Sequence, residues 1–212
     1  MSNPARRSNL GKTLALTAAA TFPALRSSRA LAQQRLTPTP RDAEGPFYPT
    51  RKPIDIDADL TRYGAKSAKG TPLELSGRVL DTSGAPLAGV RLELWQCDSL
   101  GRYHHVDGDH GAIDEGFQGY GVVTTDASGR YAFRTIRPVR YGGRPPHLHF
   151  KLAHDRAQAL TTQIYPKGES AERGLGFGLS GGDERAKLEF AMTSKGGDGT
   201  LGATYDFVLA RA

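Results

Sequence analysis

Alternating apolar and polar residues run through the chain from residue 73 to its end. In the first such stretch Leu73, Leu75 and Val79 fall on one face, because side chains two positions apart in a strand point the same way. Short segments of this kind are separated by turns and loops: 73–79, 90–94, 117–125, 130–136, 146–153, 160–165 and 204–209. About seven short strands without a long helical period predict an all-β protein, a β-sandwich of short antiparallel strands with long loops.

Turn-forming residues mark the places where these predicted strands reverse. The sequence Asp-Thr-Ser-Gly occupies residues 81–84 and Asp-Ala-Ser-Gly occupies residues 126–129, both typical of tight turns. The region 167–203 is rich in glycine and charge, and its segment 185–192 fits either a short helix or a strand. The sandwich domain is therefore predicted over residues 73–212, with one segment of undecided conformation.

A proline-rich stretch precedes the predicted sandwich. Residues 33–49 end in Glu-Gly-Pro-Phe-Tyr-Pro, and prolines and glycine at this density exclude a helix or a central strand. Residues 50–70 are polar and show no strong period. We therefore predict that residues 33–72 form an extended arm and a connector that lie over the domain.

The charge of the chain lies mostly in its first residues. The formal net charge is +6, but residues 1–32 hold five basic residues and no acidic one, which leaves 23 basic against 22 acidic residues in the remainder. A nearly neutral domain lacks the excess of positive charge that is typical of nucleic-acid-binding proteins. The single cysteine, Cys97, excludes an internal disulfide.

The first 32 residues have the pattern of an export signal. Arg6 and Arg7 precede a mildly apolar run at 13–25, and Ala-Leu-Ala at 30–32 provides a cleavage pattern before Gln33. The run is too short and too rich in alanine and threonine to span a membrane. Paired arginines favour the twin-arginine route and a periplasmic or extracellular protein. An ordinary Sec signal and a disordered basic tail are the alternatives.

Two histidines in the predicted strand 146–153 are candidates for metal binding. His147 and His149 are two positions apart, so both imidazoles project into one space. Tyr141 and Arg144 stand just upstream, next to a Gly-Gly turn and two prolines that stiffen the approach. The pair could also be ordinary solvent-facing residues, but these neighbours favour a metal site.

A loop at residues 98–116 holds three further histidines, His104, His105 and His110. Loop histidines are more often solvated than bound to metal, and we expect these three to be solvated. The same loop contains Tyr103, for which packing at the base of a loop is the ordinary role.

At these residues the sequence resembles the intradiol ring-cleavage dioxygenases, and most of all exported, β-subunit-like members of the protocatechuate 3,4-dioxygenase branch. The resemblance rests on Leu75-x-Gly77-x-Val79, Gly84, Leu87, Leu92-Glu93-Leu94, Gly101-x-Tyr103, Tyr141, Arg144-x-x-His147-x-His149 and Gln163-x-Tyr165. The arm sequence Glu-Gly-Pro-Phe-Tyr-Pro at 44–49 is similar to the N-terminal segment of that family, so the likeness covers residues 38–166.

The resemblance implies a non-haem Fe(III) centre that cleaves a small aromatic diol with O₂. Its ligands would be Tyr103, Tyr141, His147 and His149, with Tyr141 also acting as a base toward the substrate. Arg144 would stabilise negative charge on the activated ring, and Gln163 would orient its neighbours. The family implies protocatechuate as the first substrate to test, and an assembly that is either a homo-oligomer or a mixed α/β complex.

Two other functions agree with parts of the sequence. Residues 76–94 also resemble the transthyretin-like modules of surface and binding proteins, a fold that does not itself imply catalysis. The two histidines alone are compatible with a hydrolase that uses zinc or copper. Colour separates these alternatives, because ferric tyrosinate is red-brown whereas a bare sandwich and a zinc site are colourless.

Overall fold

The fold was obtained as a computed structural model that describes Met1 and residues 35–107, 111–169 and 183–212. The predicted export segment beyond Met1, together with His110, lies outside the described residues. The described ranges contain twelve strands and one short helix. They are β1 (Arg62–Tyr63), β2 (Lys66–Ser67), β3 (Pro72–Asp81), β4 (Arg91–Trp95), β5 (Tyr120–Thr124), β6 (Arg130–Ile136), β7 (Leu148–His154), β8 (Ala157–Pro166), α1 (Asp183–Ala186), β9 (Glu189–Phe190), β10 (Met192–Ser194), β11 (Leu201–Thr204) and β12 (Phe207–Leu209).

Ten of these strands form two five-stranded sheets. In the first sheet β3 pairs antiparallel with β6 on one side and parallel with β11 and β12 on the other, and β10 lies beyond β11. The second sheet has the order β5-β4-β7-β8-β9, antiparallel except for β8 and β9. The register of the second sheet aligns Trp95, His149 and Gln163 in one row across its three central strands.

The core lies between the two sheets and is built from the apolar members of the alternating pattern. Leu73 and Leu75 of the first sheet and Leu92 and Leu94 of the second are fully buried. Aromatic rings join the sheets, because Phe150 of β7 lies 6.1 Å from Phe133 and 5.0 Å from Phe207, measured between ring centroids. The prediction of an all-β sandwich is confirmed.

The C-terminal region differs from the sequence prediction in detail. The single strand predicted over 204–209 is two strands, β11 and β12, which both run parallel to β3. They are separated where the carbonyl oxygen of Tyr205 approaches Gly77 so closely that a Cβ on Gly77 would lie 1.9 Å from it. Residues 185–192 contain both alternatives, since α1 ends at Ala186 and β9 follows. Alternation alone could not reveal parallel pairing, which depends on the path of the connecting loops.

The described part of the arm, from residue 35, is hydrogen-bonded to both sheets. The backbone N–H of Thr39 donates to Val208 O in the first sheet (2.9 Å), and that of Asp42 donates to Thr161 O in the second (3.1 Å). Further along, the hydroxyl of Tyr48 donates to the carboxylate of Glu93 (2.6 Å).

Among the described residues no helix is long and apolar enough to cross a membrane.

Candidate metal centre

The candidate site lies on the face of the second sheet that points away from the core. Because strand side chains alternate, Leu94 and Phe150 face the core while Trp95 and His149 face outward. These outward side chains are nevertheless buried, since the arm and the long loops cover them. On this face Trp95 stacks on His149, with ring centroids 4.8 Å apart, and Phe47 of the arm stacks on Tyr103 at 4.7 Å.

Two imidazoles and two phenols converge at this face. His149 Nε2 lies 3.0 Å from Tyr103 Oη and 3.1 Å from His147 Nε2, and His147 Nε2 lies 3.4 Å from Tyr141 Oη. Tyr103, His147 and His149 are buried, whereas Tyr141 is half-buried. The structure therefore brings all four predicted ligands together, with Tyr141 on the side nearest to solvent.

Tyr103 reaches the cluster because Asp98 organises its loop. The carboxylate of Asp98 accepts the backbone N–H groups of Leu100 (2.9 Å) and Arg102 (3.0 Å), which closes a tight turn. Gly101 completes the turn with a φ of 74°, and a Cβ there would lie 3.1 Å from Cβ of Tyr141. The absence of a side chain at this position thus allows the two tyrosine-bearing loops to approach each other.

The loop histidines do not join the cluster. His104 is buried, with its Nε2 3.0 Å from the carboxylate of Asp98, and Nε2 of His105 lies 3.0 Å from the carbonyl of Gln118. The expectation that these side chains are solvated is therefore wrong for His104, which is held inside the loop by the same carboxylate that shapes the turn. The third one, His110, lies outside the described residues.

The turn before β7 orients three site residues at once. Arg144 N–H donates to Tyr141 O (2.7 Å) across the two intervening glycines, which have φ values of 49° and 79° and so adopt a conformation that other residues rarely reach. His147 Nδ1 lies 2.7 Å from the carbonyl of Pro145, which can only accept. The proton is therefore on Nδ1, and the lone pair of Nε2 faces the cluster.

A chain of hydrogen bonds links Arg144 to the arm. Arg144 Nη2 donates to Gln163 Oε1 (2.8 Å), and Gln163 Nε2 donates to the backbone carbonyl of Ala43 (2.6 Å). Beside this chain the hydroxyl of Tyr165 donates to Asp42 Oδ2 (2.8 Å). Gln163 thus holds Arg144 in place, and the arm holds Gln163; the sequence alone did not reveal this role of residues 42–43.

Burial determines the protonation of the four converging side chains. It lowers the pKa of His147 to about 4, with the charges of Arg144 and Arg185 contributing, and it lowers the pKa of His149 well below its usual range. Burial also raises the pKa of Tyr103 far above its ordinary value and raises that of Tyr141 less. At neutral pH both imidazoles are uncharged, and a bound cation would favour the phenolate form of both tyrosines.

These residues fit a trivalent metal ion. Atoms bound at about 2.0–2.2 Å around one metal lie roughly 3 Å apart, and the three successive donor distances from Tyr103 through His149 and His147 to Tyr141 are 3.0, 3.1 and 3.4 Å. Within the described ranges no group of three or more His, Cys, Asp or Glu side chains is placed to hold a metal. The donors available at the cluster are two imidazole nitrogens and two phenol oxygens. His149 Nδ1 is buried without a hydrogen-bond partner, which is consistent with a ring positioned by its Nε2 contacts. Phenolate oxygens are hard, anionic ligands, which suits Fe(III) better than zinc.

Cavity volume alone does not locate this site. A groove of about 790 Å³ lies on the first sheet between Glu74, Arg134 and Lys195, and a second of about 690 Å³ lies beside His104 and His105. Neither is lined by the four converging residues. The convergence of donor atoms is the stronger indication of chemistry, because both grooves lack such a set.

An outward-facing cluster of two histidines and two tyrosines on a β-sandwich agrees with the resemblance drawn from the sequence. A sequence model of the family described as Dioxygenase matches residues 43–211, and the chain belongs to the intradiol dioxygenases. It is 38% identical over 140 residues to the protocatechuate 3,4-dioxygenase β chain of Burkholderia cepacia, covering 61% of this chain and 60% of that protein. It is 34% identical over 149 residues to catechol 1,2-dioxygenase 1 of Acinetobacter lwoffii, covering 62% and 47%.

Solved structures give the same family. The dioxygenase domain of a dioxygenase and carbohydrate-binding fusion protein from Streptomyces sp. SirexAA-E superposes with a TM-score of 0.63 at 32% identity, over 83% of this chain and 100% of that domain. Catechol 1,2-dioxygenase from Pseudomonas arvilla C-1 gives a TM-score of 0.65 at 28% identity, over 82% and 63%. The chain spans about half to three fifths of the length of the curated relatives named above. The alternative of a non-catalytic transthyretin-like module is not favoured.

Proposed function

We propose that this protein is a non-haem Fe(III) intradiol dioxygenase. It cleaves a catechol-type diol between the two hydroxylated carbons and incorporates both atoms of O₂, giving a cis,cis-muconate-type diacid. The observation that carries the proposal is the convergence of Tyr103, Tyr141, His147 and His149. Three successive distances between their donor atoms, Tyr103 to His149, His149 to His147 and His147 to Tyr141, are 3.0–3.4 Å.

The four converging side chains hold the iron. When bound, Fe(III) supplies the Lewis acidity that activates the diol ring toward O₂. Two phenolates favour the ferric over the ferrous state, so activation falls on the substrate. Tyr103, His147 and His149 are buried in close packing and would hold the metal from the side facing the protein.

Tyr141 is suited to a second role as a base. It is half-buried, so burial raises its pKa less than that of the buried Tyr103, and a hydrogen bond with Tyr103 opposes this rise. Tyr141 would hold the metal from the side nearest to solvent, and its phenol oxygen would accept a proton from the hydroxyl of the incoming diol. A phenol next to solvent can then release that proton when the product departs.

Arg144 and Gln163 supply a positioned positive charge beside the four converging side chains. The guanidinium of Arg144, held by Gln163 at 2.8 Å, provides a fixed positive charge beside the cluster. Such a preorganised charge stabilises the anionic diol and the negative charge that develops on its ring. Gln163 is a positioning residue, since its other end is fixed to the arm.

Protocatechuate is the first substrate to test, followed by catechol and hydroxyquinol, since the chain matches dioxygenases named for each of these three substrates.

We also propose that residues 1–32 direct export and that mature protein begins near Gln33. N-terminal sequencing of extracytoplasmic protein tests the cleavage, and replacement of Arg6 and Arg7 by lysine tests the twin-arginine route. A homo-oligomer or a mixed assembly is proposed on the same family grounds, and sedimentation of the purified protein tests it.

The decisive experiment is oxygen uptake by the purified ferric protein with a panel of catechols. We expect a red-brown protein that consumes O₂ with at least one diol of the panel. A colourless iron-loaded protein, or the absence of oxygen uptake with every diol, would contradict the proposal. An extradiol enzyme would instead yield a yellow semialdehyde, because it cleaves beside the two hydroxylated carbons.

A further inference from the structure

Arg185 of α1 lies beside the candidate metal centre and takes no part in the chemistry described above. Its guanidinium carbon is 4.6 Å from the centre of the Tyr165 ring. That ring lies 5.9 Å from the ring of His147, measured between centroids. Tyr165 is therefore in direct contact with both, and it places the positive charge of Arg185 one aromatic ring away from a predicted iron ligand.

Apart from its contact with the Tyr165 ring, the charge of Arg185 has no ion-pair partner among the described side chains. Its Nε is enclosed by protein, so only the terminal Nη groups of the guanidinium can donate to a ligand. Nearby polar groups are occupied elsewhere: Arg144 is bound to Gln163, and Asp42 accepts the hydroxyl of Tyr165. A guanidinium without a carboxylate partner is stabilised when an anion accepts its hydrogen bonds. A ligand with an anionic oxygen would be that acceptor for the terminal Nη groups.

The stacking on Tyr165 also restricts the geometry of the guanidinium. A guanidinium held this close over an aromatic ring loses part of its conformational freedom, and its terminal N–H groups can still donate. A guanidinium edge binds a carboxylate with two parallel hydrogen bonds, which an ammonium group cannot do. Arg185 is thus better suited to bind a planar anionic substituent, such as a carboxylate, than a neutral hydroxyl group or a halogen.

We propose that Arg185 recognises a carboxylate on the ring of the diol substrate and so selects carboxylated catechols over unsubstituted ones. This inference rests on the proposed function and names its substrate class. The diol oxygens occupy the site of the four converging residues, and the ring carboxylate reaches the guanidinium next to Tyr165. Of the three candidate substrates, only protocatechuate carries such a group.

The test compares kcat/KM for protocatechuate with kcat/KM for catechol in four proteins: wild type, Arg185→Gln, Arg185→Lys and Arg130→Gln. Arg130 is an exposed arginine at the start of β6 in the other sheet, so its replacement removes the same charge far from the site. We expect the protocatechuate-to-catechol ratio to fall roughly 10- to 100-fold in Arg185→Gln. Arg185→Lys should retain part of the preference, and Arg130→Gln should match wild type.

The ratio cancels differences in iron loading and folding, because both substrates are measured on the same protein. A ratio in Arg185→Gln within twofold of wild type overturns the assignment. A wild-type enzyme that prefers catechol to protocatechuate overturns it as well. Equal losses with both substrates would make Arg185 a support for Tyr165 only, which also contradicts the proposal.

A binding measurement separates this inference from the proposed function. Isothermal titration of the iron-loaded protein uses 4-hydroxybenzoate, which carries the carboxylate but is not a diol, and phenol as the uncharged reference. We expect Arg185→Gln to weaken 4-hydroxybenzoate relative to phenol by a factor similar to the kinetic one. Unchanged relative binding overturns the role of Arg185 whether or not the ring is cleaved, whereas the absence of oxygen uptake contradicts only the proposed function.

Discussion

Replacement of Glu93 by glutamine tests how the arm is held over the site. The carboxylate of Glu93 is buried on the outer face of β4, where its Oε2 accepts the hydroxyls of Tyr48 (2.6 Å) and Tyr120 (2.8 Å). Lys52 Nζ lies 3.6 Å from the same oxygen, and Arg91 pairs with the other one. Tyr48 belongs to the arm, so this carboxylate fixes the arm segment that places Phe47 on Tyr103.

The expected effect follows from the two hydroxyl contacts. A hydrogen bond to a charged acceptor contributes about 1.5–3 kcal/mol, whereas one to a neutral acceptor contributes about 0.5–1.5 kcal/mol. Glu93→Gln keeps the shape and removes the charge, so each hydroxyl loses about 1 kcal/mol. We expect a total loss of about 2 kcal/mol in the free energy of unfolding, since the ion pairs with Lys52 and Arg91 are partly exposed and add little.

Urea unfolding followed by the fluorescence of Trp95 measures this loss at the right place. Trp95 is the only tryptophan of the sequence, and its ring lies 5.0 Å from that of Tyr48. The matched control is Glu74→Gln on the first sheet, where an exposed carboxylate pairs with Arg134 and Lys195 and should contribute little to stability, because solvent screens exposed ion pairs. The reasoning is refuted if Glu93→Gln is no less stable than Glu74→Gln.

Three further perturbations have defined outcomes. Asp81→Asn should cost about 1.5–3 kcal/mol near neutral pH, because hydrogen bonds from Ser83 and Arg211 hold the pKa of Asp81 well below its ordinary value of 3.8. That stabilisation is complete above the ordinary value and is lost as the pH falls toward the lowered pKa, so the difference in Tm from wild type should shrink in acid. His149→Ala should lose most of its iron while folded His104→Ala retains it, as metal analysis would show; the reverse result would overturn the ligand assignment. Tyr141→Phe should bind iron but turn over slowly in oxygen-uptake assays, because it lacks the base that accepts a proton from the diol.

The regular part of the site was predictable from the sequence, and its loops were predictable only through the family resemblance. His147 and His149 share a face because side chains in a strand repeat every two residues, and the register adds Gln163 to the same row. Tyr103 reaches them only because Asp98 folds its loop, a contact that no periodicity encodes. The resemblance to a known motif supplied what local pattern could not.

Contacts between distant segments were not predictable. Arg185 follows a glycine-rich region whose path the sequence left undecided, so its position over Tyr165 had no local signal. The same holds for the arm: its prolines predicted an extended segment, but its hydrogen bonds to Gln163 and Thr161 depend on the tertiary fold. The parallel pairing of β11 and β12 with β3 likewise depends on long-range docking.

Mass spectrometry of the product formed under ¹⁸O₂ tests the central claim most directly. The iron-loaded protein is incubated with protocatechuate and, separately, with catechol, and the product is compared with that formed under ordinary O₂. A site that keeps iron ferric through two tyrosinates and activates the diol should give a muconate-type product whose two new carboxylates together carry two labelled oxygen atoms. A semialdehyde, or a muconate-type product that carries no label, would contradict the assignment of Tyr103, Tyr141, His147 and His149 to an intradiol iron centre.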